Sequence, residues 1–183
     1  MSTTSTNNDP WKIPTSANLF DFFGALDTLQ NTLYNLAETV TAFVTVTKGE
    51  NSKMHGTAFV YSSDKKHMLT CNHLVMDAIS ITVTFEGESP ISVKIKAAIS
   101  SFDIAILELP SPRTHNLLRG ASIAKAGNNI FIAGFTGAGV NKKLCLTKGI
   151  CSRDISVKSN YHETDTKAAP GNSGGPVLGI YYY

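Results

Sequence analysis

Between residues 18 and 37 the apolar positions Leu19, Phe22, Phe23, Leu26, Leu29, Leu33 and Leu36 recur at spacings of three and four, which predicts an amphipathic helix. Ahead of it, residues 1–17 are rich in Ser, Thr and Asn and carry two prolines. They bury too little apolar surface to offset the entropy of ordering and read as a flexible lead. After Glu38 the period changes. Short β-branched or aromatic runs bounded by turn residues predict strands at Val40–Val46, Thr57–Tyr61, His67–Cys71, Ile81–Phe85, Ile91–Ala97, Ile104–Leu109, Asn129–Gly134, Lys143–Ile150 and Gly175–Ile180. The polar linker at 62–66 suits a hairpin loop between the second and third of these. No strand–helix–strand alternation follows, so the pattern predicts an all-β fold and disfavours a parallel α/β sheet. The Pro-bearing stretch after Leu109 separates two β lobes, 38–110 and 121–183, joined by a connection at 111–120.

Composition narrows the function classes. Sixteen Lys and Arg against 14 Asp and Glu leave a net charge of +2, and charged residues make up 16% of the chain. An average soluble protein carries roughly 25%. That balance excludes a polybasic nucleic-acid binder and an acidic disordered tail as the main reading. No apolar run approaches the length of a membrane span, and no apolar stretch follows a basic N-terminus. Cys71, Cys145 and Cys151 are odd in number and lack the C-x-x-C spacing of a zinc or redox site. If Cys145 and Cys151 share a strand, they lie on one face roughly 20 Å apart, too far to bridge. Three free thiols and no secretory signal point to an intracellular protein rather than a secreted one.

The densest chemical motif is Gly171-Asn172-Ser173-Gly174-Gly175-Pro176. Glycines flanking a serine permit a tight turn that exposes the hydroxyl and aims backbone N–H groups at one point, as a developing oxyanion requires. The same residues fit the Gly-x-Ser-x-Gly elbow of α/β-hydrolases, in which an acid and then a His follow the serine. Only ten residues follow Ser173, and none is acidic or His. Partners must therefore lie upstream. Of His55, His67, His73, His115 and His162, His73 directly follows a predicted strand. Asp103 introduces the apolar run Ile104–Leu109, where a carboxylate is costly to bury unless an imidazole or similar donor partners it. The chain order His73, Asp103, Ser173 is that of chymotrypsin-like double β-barrels.

Further segments make the chain similar to the HtrA/Deg branch of the chymotrypsin-like serine proteases. Thr164-Asp165 followed by Ala169–Pro176 resembles that branch's approach to its nucleophile, and Thr147–Ser152 resembles its Thr-x-Gly-Ile-Val-Ser strand. Gly127 through Gly139 is similar to its Gly-rich strand and loop, Asp103–Leu107 to its Asp-Ile-Ala strand, and Gly56–Val60 to its Gly-x-x-Phe strand. The similarity covers residues from about 38 to 180.

The resemblance implies two antiparallel β-barrels preceded by the helix, with the site in the cleft between them. It further implies endopeptidase activity on unfolded or flexible polypeptides. Ser173 would be the nucleophile, His73 the general base and then acid, and Asp103 the group that holds the imidazole. The backbone N–H groups of Gly171 and Ser173 would form the oxyanion hole, with no metal or cofactor required. Relatives continue beyond the point where this sequence stops, so the second barrel is expected to be incomplete; a catalytically inactive homologue acting as a binding module is the alternative. Lys167 falls where trypsin-like relatives place the pocket floor and would favour acidic side chains there, or it is simply an exposed lysine. Phe20, Phe22 and Phe23 are similar to aromatic contacts that assemble relatives into trimers, or they pack the helix.

Overall fold

The computed structural model describes residues 16–50, 52–114, 123–137, 143–154 and 161–179. The lead up to residue 15, residues 115–120 of the connection with His115, the end of the Gly127–Gly139 segment and Ile180 lie outside the described residues. So do the side chains of Phe20, Phe22 and Phe23. Helix α1 runs Ser16–Val40, longer than the expected helix at both ends. It crosses from one compact unit, ending at Thr32, into a second that starts at Leu33. Within the first unit the hydroxyls of Thr28 and Thr32 donate back to the carbonyls of Gly24 and Thr28, at 2.8 and 2.9 Å, which occupies polar groups that would otherwise compete with the helix.

The second unit holds two curled antiparallel sheets. The first contains β1 (Thr41–Thr47), β2 (Lys53–Val60), β3 (His67–Cys71), β4 (Ser80–Thr84), β5 (Ile91–Ser92), β6 (Lys94–Ile99) and β7 (Ile104–Glu108), in the order β5-β4-β1-β2-β3-β7-β6. The second contains β8 (Asn129–Phe135), β9 (Leu144–Arg153), β10 (Glu163–Thr164) and β11 (Val177–Gly179), in the order β10-β9-β8-β11. Four strands among the described residues make a half-barrel beside the fuller first sheet, as the sequence leads one to expect. The run predicted as one strand over 91–97 is two. Val93 separates them: its N–H still donates to Ile81 of β4, and from Lys94 on the chain pairs with β7 instead.

Alternation along β1 explains how one strand serves two cores. Ala42, Val44 and Val46 point into the first core with Val60, Met68, Leu74, Val83 and Leu107. Phe43, one residue out of phase, joins Ala37, Phe131, Ala133, Phe135, Leu144 and Leu178 in the second. Its ring meets Phe135 edge-on at 5.8 Å and stacks on His55 at 5.1 Å. The last turns of α1 contribute Leu33 and Tyr34 to that second core, and the Tyr34 hydroxyl donates to the Leu144 carbonyl at 3.2 Å. Cys145 and Cys151 do share β9, but Cys145 is exposed and Cys151 buried; all three cysteines are free. No helix among the described residues is long and apolar enough to cross a membrane.

Candidate active site

Register brings His73 and Asp103 together. β3 and β7 pair antiparallel with Cys71 opposite Ile104, so the residues just outside the ladder, Asn72 and Asp103, also face each other. Asn72 donates its backbone N–H to the Asp103 carbonyl at 3.0 Å. The chain then coils into a single turn, α2 (Asn72–Val75), that buries Leu74 and Val75 and leaves His73 exposed. On the other side a 3-10 turn, Ser100–Phe102, ends at Asp103, whose φ of 53° is left-handed. Asp and Asn are the non-glycine residues that visit this region most readily. That conformation aims the carboxylate at the α2 turn. Oδ2 lies 2.6 Å from His73 Nδ1, and Oδ1 accepts the His73 backbone N–H at 2.7 Å.

An ionised carboxylate only accepts, so the Nδ1 of a neutral His73 carries the proton and Nε2 keeps its lone pair. Burial works against the Asp103 charge. The hydrogen bonds from the His73 ring and backbone outweigh it, and the carboxyl sits below its ordinary range. Half-buried Cys71 lies beside the same carboxylate: burial, and then the Asp103 charge, push its thiol up.

The turn bearing Ser173 is assembled largely by Thr57 of β2, a fully buried residue. The Thr57 hydroxyl donates to the Gly171 carbonyl at 2.7 Å and accepts the Phe135 N–H at 3.0 Å. Its backbone N–H donates to the Ser173 carbonyl at 2.8 Å, and its carbonyl accepts the Thr70 hydroxyl at 2.7 Å. One residue therefore ties both sheets to the turn. Two glycines are required by that close approach. Gly171, at φ 101°, lies against the Phe135 carbonyl; Gly174, at φ 86°, lies against Thr57, Thr70 and the Cys71 backbone. A side chain at either would strain the backbone and collide with main-chain atoms.

Within the turn the Asn172 N–H is taken by the Ala169 carbonyl at 3.0 Å, and the Gly175 N–H by Asn172 at 2.9 Å. Among the described residues, the N–H groups of Gly171 and Ser173 have no acceptor. Ser173 is exposed. The structure joins His73 to Asp103 directly, while the Ser173 hydroxyl makes no hydrogen bond to the His73 ring. The serine backbone is nonetheless held against the same corner, since a side chain at Gly56 would meet both Leu74, next to His73, and the Ser173 carbonyl at 3.0 Å.

The other described histidines lead elsewhere: His55 to Phe43, His67 to Asp64 at 2.8 Å, and His162 to Cys151 at 3.6 Å. Asp165 pins β9 within the strand by accepting the Ile150 N–H at 2.6 Å, which accounts for part of the motif before the Ser173 turn. Lys167 is exposed. Sequence reasoning missed Thr57 and Cys71. Both sat inside quoted strand motifs, and nothing in a strand pattern marks a hydroxyl that will face another sheet.

Residues 56–179 match the family model of the trypsin-like peptidase domain. The chain belongs to that family. Its relatives put this trypsin-like peptidase domain on the HtrA/Deg side of the family. It is 28% identical over 134 residues to the Do-like serine protease HtrB of Bacillus subtilis, covering 67% of this chain and 29% of that one. To HtrA of the same organism it is 26% identical over 141 residues, 70% of this chain and 31% of that one. The chain thus spans less than a third of the length of these relatives. The crystal structure of the serine endoprotease from Yersinia pestis has a TM-score of 0.70, covering 92% of this chain and 55% of that one at 20% identity. At that identity the likeness establishes the fold: two curled β-sheets of the chymotrypsin-like type.

Proposed function

We propose that this trypsin-like peptidase domain is a serine endopeptidase that cleaves unfolded or flexible polypeptides. The observation that carries the reading is the two-point grip of Asp103 on His73, through ring and backbone at 2.6 and 2.7 Å. It fixes the tautomer that leaves Nε2 basic. Ser173 attacks the scissile carbonyl as Nε2 takes its proton, the tetrahedral oxyanion sits on the N–H groups of Gly171 and Ser173, and His73 then protonates the leaving amine. Water repeats the sequence on the acyl-enzyme. Residues 38–110 and 121–183 are the two lobes, with 111–120 between them, and extended peptide lies across both. A fluorophosphonate probe tests this. Labelling of the wild type and not of Ser173→Ala supports it; folded protein that never labels overturns it.

One observation favours the second reading, an inactive homologue that binds polypeptide: the Ser173 hydroxyl is not hydrogen-bonded to His73. Catalytic hydrogen bonds are often long before substrate binds, so the active reading is preferred. Peptide binding by Ser173→Ala, without labelling of the wild type, would reverse that preference.

A further inference from the structure

We propose that Cys71, His73 and Asp103 form a binding site for a thiophilic divalent cation such as Zn2+. The Cys71 sulfur, a His73 ring nitrogen and an Asp103 carboxylate oxygen all lie within 4.8 Å of one another. Thiolate, imidazole and carboxylate are the donors zinc takes, at about 2.3, 2.0–2.1 and 2.0–2.2 Å, and three protein ligands leave a fourth position for water. Those bond lengths place ligand atoms roughly 3.3–3.8 Å apart in a tetrahedron. The 2.6 Å His73–Asp103 contact opens slightly and the sulfur moves inward, both by side-chain rotation.

The three donors stand on one rigid corner. Cys71 ends β3, His73 lies in α2, and Asp103 precedes β7, with the β3–β7 ladder fixing the spacing. The His73 and Asp103 side chains are 51% and 46% exposed, so an ion enters from solvent. Binding releases the thiol proton to water, the single imidazole proton passes from Nδ1 to Nε2 by way of solvent, and the cation takes the place of the hydrogen bond between His73 and Asp103. His73 is then no longer oriented by Asp103 as a base, so the ion is a reversible inhibitor. This second consequence rests on the peptidase reading; the binding does not.

The test uses the full chain, reduced and freed of metal, with Co2+ as the first probe. A thiolate-to-cobalt charge-transfer band for one ion per chain is expected in the wild type and in Cys151→Ser, lost on adding Zn2+. Cys71→Ser and Cys71→Ala should lack it. Cys151 is the control because it has its own histidine neighbour, His162. Zn2+ should also block fluorophosphonate labelling of the wild type, with recovery on chelation. Losing the sulfur should raise the Zn2+ needed by at least about tenfold, since even supporting residues of metal sites cost 10–100-fold. A band absent from the wild type, or retained in both Cys71 variants, overturns the site. Failure to label without metal overturns the peptidase reading alone, because the cobalt band is read independently of activity.

Discussion

The two sheets position their functional groups by different means. In the first, His73 and Asp103 follow from strand register: once β3 and β7 pair, the residues at the end of the ladder are opposite each other and the carboxylate has two donors within reach. In the second, Ser173 and Gly171 depend on a turn held from outside by Thr57, a residue of the first sheet. The second core is likewise shared, since Phe43 reaches into it from β1 and α1 supplies Ala37. The His73–Asp103 pair is thus internal to one sheet, whereas the Ser173 turn is a product of contact between the two.

Substitutions can break this contrast. Asp103→Asn should lower turnover by about 10⁴-fold, the usual effect of losing the carboxylate in such an arrangement. Asn tolerates the left-handed backbone, so the variant should still fold, with only a small loss of stability; a loss of turnover below tenfold removes Asp103 from the mechanism. Phe43→Ala, at a side chain only 2% exposed, should cost about 3–5 kcal/mol in chemical denaturation. If the second core is shared as described, hydrogen exchange should rise in β8 before β4. Thr57→Val keeps shape and removes the hydroxyl, stranding the Gly171 carbonyl and the Phe135 N–H. A loss of about 1–3 kcal/mol is expected. Turnover should fall roughly 10²-fold through misplacement of the turn, with little change in the His73 Nδ1 proton resonance. Unchanged turnover would mean that the turn does not need the first sheet.

The smallest effect concerns pH. Asp103 has a folded pKa below that of the unfolded chain, so its contribution to stability is fully present above the ordinary carboxylate value of about 3.9 and is lost as pH falls through the folded value. The stability difference between wild type and Asp103→Asn should therefore hold from pH 7 to about 4 and narrow only below that. Narrowing near neutrality would contradict the assignment.

The same contrast explains what could be read from the chain. His73 and Asp103 were legible because strand runs and polar residues at their ends survive in sequence, and Gly171–Pro176 because its glycines answer to backbone geometry. Strand ends were less so. β2 begins at Lys53 instead of Thr57 because Lys53, Met54, His55 and Gly56 are held by pairing with Thr47, Val46, Thr45 and Val44, which alternation does not register. β10 is two polar residues on β9, and α2 is one turn, too short for any period. The Thr57 contacts with Gly171 and Ser173 join residues more than a hundred positions apart, so no local pattern contains them.

The hydrogen bond from the Thr57 N–H to the Ser173 carbonyl also sets an order of assembly. β2 completes its pairing with β1 and β3 using groups close to it in the chain, but this amide waits for a residue more than a hundred positions further along. In pulse-labelled refolding, protection at Thr57 should lag behind that at Val44 and Val83. A chain still being made, or only half collapsed, has not yet seated the turn that carries Ser173.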